Sequence, residues 1–540
     1  MPGFSADLVL TNGKVWRGLY EGLCESVAVW QGRVLAAGAG DDVADLIGPD
    51  TRVVDLAGRF ATPGLNDAHL HLLPLGLTMA ELDLRPAHGV TTLDELLRHV
   101  REAAERTPPG GWIRGRGYDH FRLDVGRHPL ISKLDAVAPD HPVFLVRADG
   151  HLAVCNRRAF ALAGIDDATA TPEGGLIERR DGALTGLIAE TALHLVEQVA
   201  PKPDEDALVA AIERAGLACL AHGITSVTDA AVGMRAGFAE IPAYFRAARE
   251  GRLPVRTLLC LLGGPAGIVE ACRAAGLITG TGSDRLRIGP VKLFTDGSAG
   301  GRTAAMMRPY LGEPSTDGIL CFADADLDAQ VGELHAAGYQ MAIHAIGDRA
   351  IEQTLRAYEH ALDRLPAADR RHRIEHCGWL DDGQMARMVE RGIEPVPQPV
   401  FMRDFGDLYL DVLGEDRPPR AYPMRSWLNA GQHPAASTDS PVCDLDPMPN
   451  LWAMLTRRTL AGTLLGGQEA LTAAEALHCY TYNSAYVGHA ETSKGRLMPG
   501  QLADIAVWSH DLLETDPDTL LRAARCDLTL LDGEIVYERP

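Results

Sequence analysis

The stretch Ala61-Thr-Pro-Gly-Leu-Asn-Asp-Ala-His-Leu-His71 joins a turn to a short segment that ends in two histidines. Residues two apart on a strand point to the same face, so His69 and His71 could share one metal ion at the end of that strand. By itself the H-x-H pattern is weak, because a chain with 19 histidines contains such pairs by chance. A pair of core or surface histidines explains it equally well at this point.

Three later segments strengthen the metal hypothesis. Met341-Ala-Ile-His344 and His372-Arg-Ile-Glu-His376 each place a histidine at the end of a candidate strand, and Ala435-Ala-Ser-Thr-Asp439 does the same with a carboxylate. Active sites of parallel α/β barrels lie at the carboxyl ends of the strands. Four strand ends therefore converge on one predicted site.

The central part of the chain alternates apolar strands with helical segments. A helix from Asp326 to Ala337, a strand from Gln340 to His344 and a helix after Asp348 illustrate the pattern, which predicts parallel βαβ units. We expect an α/β fold with a TIM-like (β/α)8 barrel over residues 61–484. Its eight candidate strands end near His71, Asp229, Cys260, Thr295, His344, His376, Gln398 and Thr438.

Hairpin signatures stand at both ends of the chain, including the turn pairs Asn12-Gly13 and Asp532-Gly533. We therefore predict a small composite β-sandwich domain from residues 1–60 and 485–540, with separate edge hairpins as the alternative. The segment 75–205 after the first barrel strand is too long for a crossover, so it predicts an inserted α+β subdomain. The capping box Thr92-Leu-Asp-Glu95 predicts a helix start within it.

Composition excludes several classes of function. A net charge of −22, without a concentrated basic patch, argues against nucleic-acid and membrane-surface partners. The ten cysteines form no C-x-x-C pair, and we find neither a secretory signal nor a membrane-spanning apolar run. We expect a cytoplasmic enzyme of a small-molecule substrate, with a homodimer as the common default.

The ordered motifs together resemble the amidohydrolase superfamily, and more closely amidohydrolase family 3, of the N-substituted formamide deformylase type. The resemblance covers nearly the whole chain. It rests on the opening P-G-x-x-D-x-H-x-H, the segment Gly289-Pro-Val-Lys292-Leu-Phe-Thr-Asp296, and the closing Thr481-x-Asn483 and Gly500-x-x-Ala503-Asp504. Further matches are Gly111-Trp-Ile, Arg147-x-Asp-Gly-His151 and Thr185-Gly-x-x-x-Glu190.

The resemblance implies a metal-ligand set. Its members are His69 and His71 for one ion, His344 and His376 for a second, Asp439 as a contact of the metal that carries the nucleophile, and Lys292 as the bridge. A free ammonium cannot bind a cation, so the bridge requires a carboxylated lysine. An unmodified Lys292 paired with Asp296 or a substrate anion, beside a single metal, is the alternative. Zn²⁺ is the first choice, with Mn²⁺, Fe²⁺, Co²⁺ or Ni²⁺ also suited to such ligands.

The implied activity is hydrolysis of a C–N bond, of amide or N-substituted formamide type, through a metal-bound hydroxide. Asp439 would move the proton from the nucleophile to the departing amine. His151 could hydrogen-bond the substrate carbonyl or the oxyanion, although a structural histidine is an equal alternative. Further candidate substrate contacts are Arg302, Trp112 and Phe401. The stretch Ser298-Ala-Gly-Gly-Arg302 departs from the family's S-L-G-S-R form, which leaves the substrate preference open.

Two other readings compete with this one. A serine-type amidase could use Ser298, because Asp296-Gly-Ser298-Ala-Gly300 approaches the G-x-S-x-G motif, although Asp stands where the first glycine belongs. A non-catalytic metal- or ligand-binding regulatory protein could share the same fold. Loss of activity in Ser298→Ala would favour the first, and a metal-binding chain without hydrolytic activity the second.

Overall fold

A computed structural model describes residues 5–147, 152–172, 174–313 and 315–540. Its strands are β1 Leu8–Thr11, β2 Lys14–Gly18, β3 Gly22–Cys24, β4 Ser26–Trp30, β5 Arg33–Gly38, β6 Arg52–Asp55, β7 Phe60–Pro63, β8 Leu65–Leu70, β9 Leu82–Asp83, β10 Ile113–Tyr118, β11 Val143–Arg147, β12 Leu152–Cys155, β13 Gly175–Arg180, β14 Ala183–Glu190, β15 Ile224–Val232, β16 Arg256–Leu262, β17 Leu286–Phe294, β18 Met341–Ala345, β19 Arg373–His376, β20 Glu394–Val396, β21 Ile505–Trp508, β22 Cys526–Leu531 and β23 Glu534–Glu538.

The α-helices are α1 Gly40–Ala44, α2 Leu72–Thr78, α3 Leu93–Arg106, α4 Ile131–Val137, α5 Arg157–Leu162, α6 Leu193–Glu197, α7 Glu205–Ala221, α8 Glu240–Arg249, α9 Val269–Ala274, α10 Asp324–Ala336, α11 Asp348–Arg364, α12 Asp382–Arg391, α13 Val400–Asp404, α14 Gly406–Leu413, α15 Met424–Asn429, α16 Pro447–Thr456, α17 Ala473–His478, α18 Ser484–Tyr486 and α19 Pro517–Ala523. None of the helices in the described ranges is both long enough and apolar enough to cross a membrane.

Seven parallel strands form the barrel wall, in the order β20-β19-β18-β17-β16-β15-β8. Every residue of β8 and of β15 is buried. Strands covered on both faces are expected where helices pack outside a closed parallel sheet. The α/β class and the parallel barrel predicted from the alternating pattern are confirmed.

The eighth predicted strand, ending near Thr438, is not a strand. Its segment still lies between the two edges of the barrel sheet: Ala435 N donates to Pro395 O at 3.2 Å, and Asp439 N donates to His69 O at 2.8 Å. Pro434, which has no N–H, stands where a regular ladder would begin. These isolated bonds close the barrel without a continuous ladder.

Strands from both chain ends share one sheet of order β23-β22-β21-β7-β2-β3, in which β21 runs antiparallel to β7. A second sheet has the order β5-β4-β1-β6. One apolar cluster draws on both sheets, with Leu10 and Val29 from the second and Val15, Ile505 and Leu530 from the first.

A buried ion pair links the terminal segments to the barrel. Arg256, at the start of β16, donates from Nε to Asp504 Oδ2 at 2.6 Å and from Nη2 to Asp504 Oδ1 at 2.9 Å. Asp532 also contacts the same guanidinium. The two partners of the main pair are 4 % and 5 % exposed. Two parallel hydrogen bonds between buried charges hold Asp504 against the barrel.

Residues 76–207 form a compact unit of their own, and the remaining described residues form another. The unit contains a six-stranded sheet of order β13-β14-β12-β11-β10-β9. The predicted capping box is confirmed at the start of α3: Thr92 Oγ1 accepts from Glu95 N at 3.2 Å, and Glu95 Oε2 accepts from Thr92 N at 2.9 Å. Leu96 and Val100 of α3 are buried in the core of this unit.

Candidate active site

Two histidines and one aspartate meet at the carboxyl end of β8. Asp439 Oδ1 lies 3.3 Å from His69 Nε2 and 3.2 Å from His71 Nε2. One ligand atom from each residue lies within 4.8 Å of the other two. Asp439 Oδ1 is buried and accepts no hydrogen bond from the described residues. Two imidazole nitrogens around an unsatisfied carboxylate oxygen are a donor set that fits a divalent cation such as Zn²⁺.

Glu375 and Arg373 fix the orientation of His69 from the side of its Nδ1 atom, which does not face Asp439. His69 Nδ1 contacts Glu375 Oε2, and Arg373 donates to the same carboxylate from Nε at 2.7 Å and from Nη2 at 2.9 Å. Burial raises the pKa of Glu375, but the charges and hydrogen bonds of Arg373 and His69 outweigh it and hold that pKa well below its usual range. An ionised carboxylate only accepts, so Nδ1 carries the proton and Nε2 keeps its lone pair for a metal.

Sequence reasoning missed both of these residues. Adjacent residues on a strand normally face opposite ways. If His376 faces the site, the neighbouring Glu375 is therefore expected to point away from it. The backbone of His376 has φ of +66°, in the left-handed region, which breaks the alternation at the end of β19. Both side chains consequently reach His69, since the His376 ring centroid lies 4.9 Å from that of His69. One signal was available in the sequence. Arg373 and Glu375 are two residues apart on a predicted strand, so their opposite charges would lie on the same face.

Lys292 belongs to the same group of side chains. It lies on β17, is 1 % exposed, and places Nζ 3.4 Å from His69 Nε2. Burial lowers the pKa of Lys292. The alternative pairing with Asp296 is not found, because the Asp296 carboxylate instead accepts hydrogen bonds from backbone N–H groups, including Ala305 N and Gly347 N, both at 2.9 Å. Lys292 therefore stands beside the metal-type donors.

His344 and His376 continue the row of imidazoles, with ring centroids 4.4 Å apart. His376 Nδ1 faces Gln398 Oε1 at 2.6 Å, and Gln398 Nε2 donates to Ser437 Oγ at 2.9 Å. Since the Gln398 oxygen can only accept, His376 Nδ1 donates and Nε2 is left for a ligand. His344 Nε2 donates to Gly297 O at 3.1 Å, which leaves Nδ1. In the described chain these two histidines lie outside the three-residue donor group.

Two further buried carboxylates, Asp67 and Asp229, lie near the site. Asp67 accepts from Thr438 Oγ1 at 2.7 Å and from His69 N at 3.1 Å, which ties β8 to the segment that carries Asp439. Burial raises the pKa of Asp67 to about 7. Asp229 accepts from the Tyr244 hydroxyl, and burial raises its pKa as well. Sequence reasoning gave neither carboxylate a role.

The candidate substrate contacts are dispersed. Phe401 adjoins the site, with its ring stacked on His376 at 6.1 Å between centroids. Arg302 forms an ion pair with Glu313 and is half-exposed. Trp112 packs against the core of the unit 76–207. His151 lies outside the described residues.

The serine alternative has no support in the hydrogen bonding. Ser298 is exposed, and its Oγ accepts from Gly301 N at 3.1 Å. Among the described residues no imidazole is hydrogen-bonded to Ser298 Oγ, and His344 Nε2 bonds to Gly297 O instead. A serine nucleophile needs such a base.

Comparison with known proteins places this arrangement in a family. The model of the Amidohydrolase family matches residues 52–537. The chain is 31 % identical to the N-substituted formamide deformylase of Arthrobacter pascens, over 99 % of this chain and 98 % of that protein. It is also 31 % identical to the protein LONG AFTER FAR-RED 3 of Arabidopsis thaliana, over 94 % of this chain and 88 % of that protein.

A solved structure shows the same fold. The crystal structure of an uncharacterized metal-dependent hydrolase from Pyrococcus horikoshii superposes with a TM-score of 0.79. It is 28 % identical in sequence, and the match covers 95 % of this chain and 99 % of that one. The two named relatives are equally similar to this chain in sequence but carry different names. The residues of the site, and not the family alone, must therefore decide the chemistry.

Proposed function

This chain belongs to the amidohydrolase family, and from that premise we propose that it is a metal-dependent hydrolase that cleaves a C–N bond, of amide or N-substituted formamide type, in a small molecule. The observation that carries the proposal is the buried Asp439 oxygen facing the Nε2 atoms of His69 and His71. Similarity to a formamide deformylase over nearly the whole chain supports the substrate class.

His69, His71 and Asp439 would hold one divalent cation, and Zn²⁺ is the proposed ion because imidazole and carboxylate ligands suit it. His344 and His376 would hold a second, with Lys292 between the two once its amine is carboxylated. When bound, the cation lowers the pKa of a water molecule from about 16 toward about 7 and polarises the substrate carbonyl.

Asp439 is the residue best placed to move the proton. Its backbone N–H is fixed by His69 O at 2.8 Å, and its side chain is 8 % exposed, so the carboxylate is held in place with little water around it. It would accept the proton of the attacking water and deliver it to the nitrogen of the departing amine. This transfer is needed because an amide anion is a very poor leaving group.

The neighbouring residues set the orientation and the apolar surroundings. Glu375 keeps His69 in the tautomer that presents Nε2, as described above. Phe401 is 5 % exposed and packs beside His376. Its ring would cover the substrate side of that histidine with an apolar surface and favour a partly apolar substituent on the substrate nitrogen.

The test is hydrolysis of a panel of N-substituted formamides, amides, carbamates and lactams by protein loaded with Zn²⁺. We expect turnover of at least one C–N substrate, a loss of about 10²-fold or more in kcat for Asp439→Asn, and full activity for Ser298→Ala. Ester-only turnover would contradict the C–N assignment. A chain that binds metal but hydrolyses nothing in the panel would instead favour a ligand-binding protein on the same fold.

A further inference from the structure

A cavity of about 230 Å³ lies at the amino ends of the barrel strands, whereas the metal-type donors stand at the carboxyl ends. Arg287, near the start of β17, and Gln340, directly before β18, both contribute to its wall. Lys292 lies further along β17, about 16 Å from Arg287 at a rise of about 3.3 Å per residue. The cavity is therefore separate from the candidate active site.

Two guanidinium groups of the wall keep N–H donors that the protein does not use. Arg287 donates from Nη1 to His489 O at 3.2 Å and from Nη2 to Gly488 O at 2.6 Å. Arg370 donates from Nη1 to Gly338 O at 2.6 Å. A guanidinium carries five N–H donors. Arg370 Nε is closed off from solvent, but Arg287 Nε and Arg370 Nη2 keep accessible surface and have no hydrogen-bond partner among the described residues.

Neither of these two positive charges has a carboxylate partner. No described aspartate or glutamate forms an ion pair with Arg287 or Arg370, whereas the adjacent Arg371 pairs with Asp369 and, at 2.9 Å, with Glu491. Asp369 also belongs to the wall, but Arg371 already balances its charge. Burial lowers the pKa of the Arg287 guanidinium. A partly buried charge without a counter-charge costs free energy, so an anion in the cavity would relieve that cost.

The rest of the wall leaves room for a ligand and adds no negative charge. Glycines form much of it, and a side chain at Gly280 or Gly338 would extend into open space. His489 is the other titratable group, and burial together with the charge of Arg371 lowers its pKa, so it is neutral at physiological pH. Sites for drug-sized ligands have volumes of about 300–1,000 Å³, so this cavity suits a smaller molecule.

We propose that this cavity is a binding site for a small oxyanion of the phosphate type. Guanidinium N–H groups match the geometry of phosphate oxygens, and hydrogen bonds between charged partners are stronger than neutral ones. Two cations without a carboxylate partner also match the charge of a phosphate dianion. The phosphate is either free or part of a small monoester, and the two are separate arms of the test. The site does not depend on the proposed hydrolysis, because it lies at the other end of the barrel.

Calorimetry on the full-length, metal-loaded protein, in a buffer without oxyanions, measures the binding of inorganic phosphate and of methyl phosphate. We expect saturable phosphate binding with a Kd below about 1 mM, which Arg370→Gln should weaken by about tenfold or more. Arg370→Lys keeps the charge but not the planar fork, and it should recover part of that loss. Arg364→Gln, which removes an exposed charge outside the wall, should stay within about twofold. Methyl phosphate that binds as tightly as inorganic phosphate indicates a monoester ligand, and much weaker binding indicates free phosphate.

Three results would overturn the proposal. The first is the absence of saturable phosphate binding by a folded protein. The second is phosphate binding that Arg370→Gln leaves unchanged, because the anion would then lie on the metal ions or elsewhere. The third is an equal binding heat from sodium chloride at the same ionic strength, because the effect would then be general screening. Thermal unfolding shows whether Arg370→Gln is folded, and Arg287→Gln removes the other charge of the pair as a second, independent variant.

Discussion

Glu375→Gln tests how the protein prepares His69 for a metal. The substitution keeps the shape of the side chain but removes the charge that faces Arg373, whose side chain is 1 % exposed and makes two hydrogen bonds to that carboxylate. Removing one partner of a buried ion pair costs about 3–5 kcal/mol, because the other charge stays buried. An amide can also present its NH₂ group to His69 Nδ1, which then no longer donates. Loss of such a supporting hydrogen bond lowers metal affinity by about 10–100-fold.

Two measurements separate these effects. Urea unfolding of metal-free protein gives the stability loss, and competition with a chelator gives the metal affinity. The double variant Arg373→Met with Glu375→Gln should recover much of the stability, because no charge is left unpaired, but not the metal affinity. This role of Glu375 would be ruled out if Glu375→Gln changed the free energy of unfolding by less than about 1 kcal/mol and the metal affinity by less than about twofold.

Two further predictions concern regions away from the metal-type donors. Arg256→Leu should destabilise the protein by about 3–5 kcal/mol in urea unfolding, because Asp504 would stay buried without its partner; a cost below about 1 kcal/mol would show that this pair does not hold the terminal segments. His478 has a folded-state pKa of about 4, below its unfolded value of about 6.5, so the unfolded chain takes up the proton first and stability falls as pH drops from about 6.5 to about 4. The integrated loss is about 3 kcal/mol, and His478→Phe should remove it from the pH dependence of the urea midpoint, whereas an unchanged pH profile would contradict the assignment. Glu21, Arg496 and His433 act on the same imidazole and are unchanged in that variant.

The barrel could be predicted from the sequence because its strands are short, apolar and separated by helical segments, and the family resemblance is confirmed by the match over residues 52–537. The segment before Asp439 was wrongly expected to be a strand. Its apolar residues and its position in the chain resemble those of the other strands, but it contacts its neighbours through isolated hydrogen bonds. Hydrophobic pattern alone does not distinguish these two cases.

Some site residues could also be recognised from the sequence, and others could not. His69 and His71 were visible because a two-residue spacing reports directly on a strand face. Glu375 was hidden by the positive φ of His376, which no pattern in the sequence announces. Arg302 stood out for its glycine-rich loop, but its partner Glu313 is a tertiary contact that spacing does not reveal.

The number of metal ions bound per chain shows whether these side chains form a metal centre and whether Lys292 is part of it. Inductively coupled plasma mass spectrometry on protein purified without chelator should give about two divalent ions per chain, with fewer in His69→Ala and in Lys292→Ala. His360→Ala, which changes an exposed histidine paired with Asp328, should keep the full count. A single ion that is insensitive to Lys292→Ala would remove the bridge but keep the hydrolase. If no metal binds, even after reconstitution with Zn²⁺ or Mn²⁺, the protein is not a metal-dependent hydrolase.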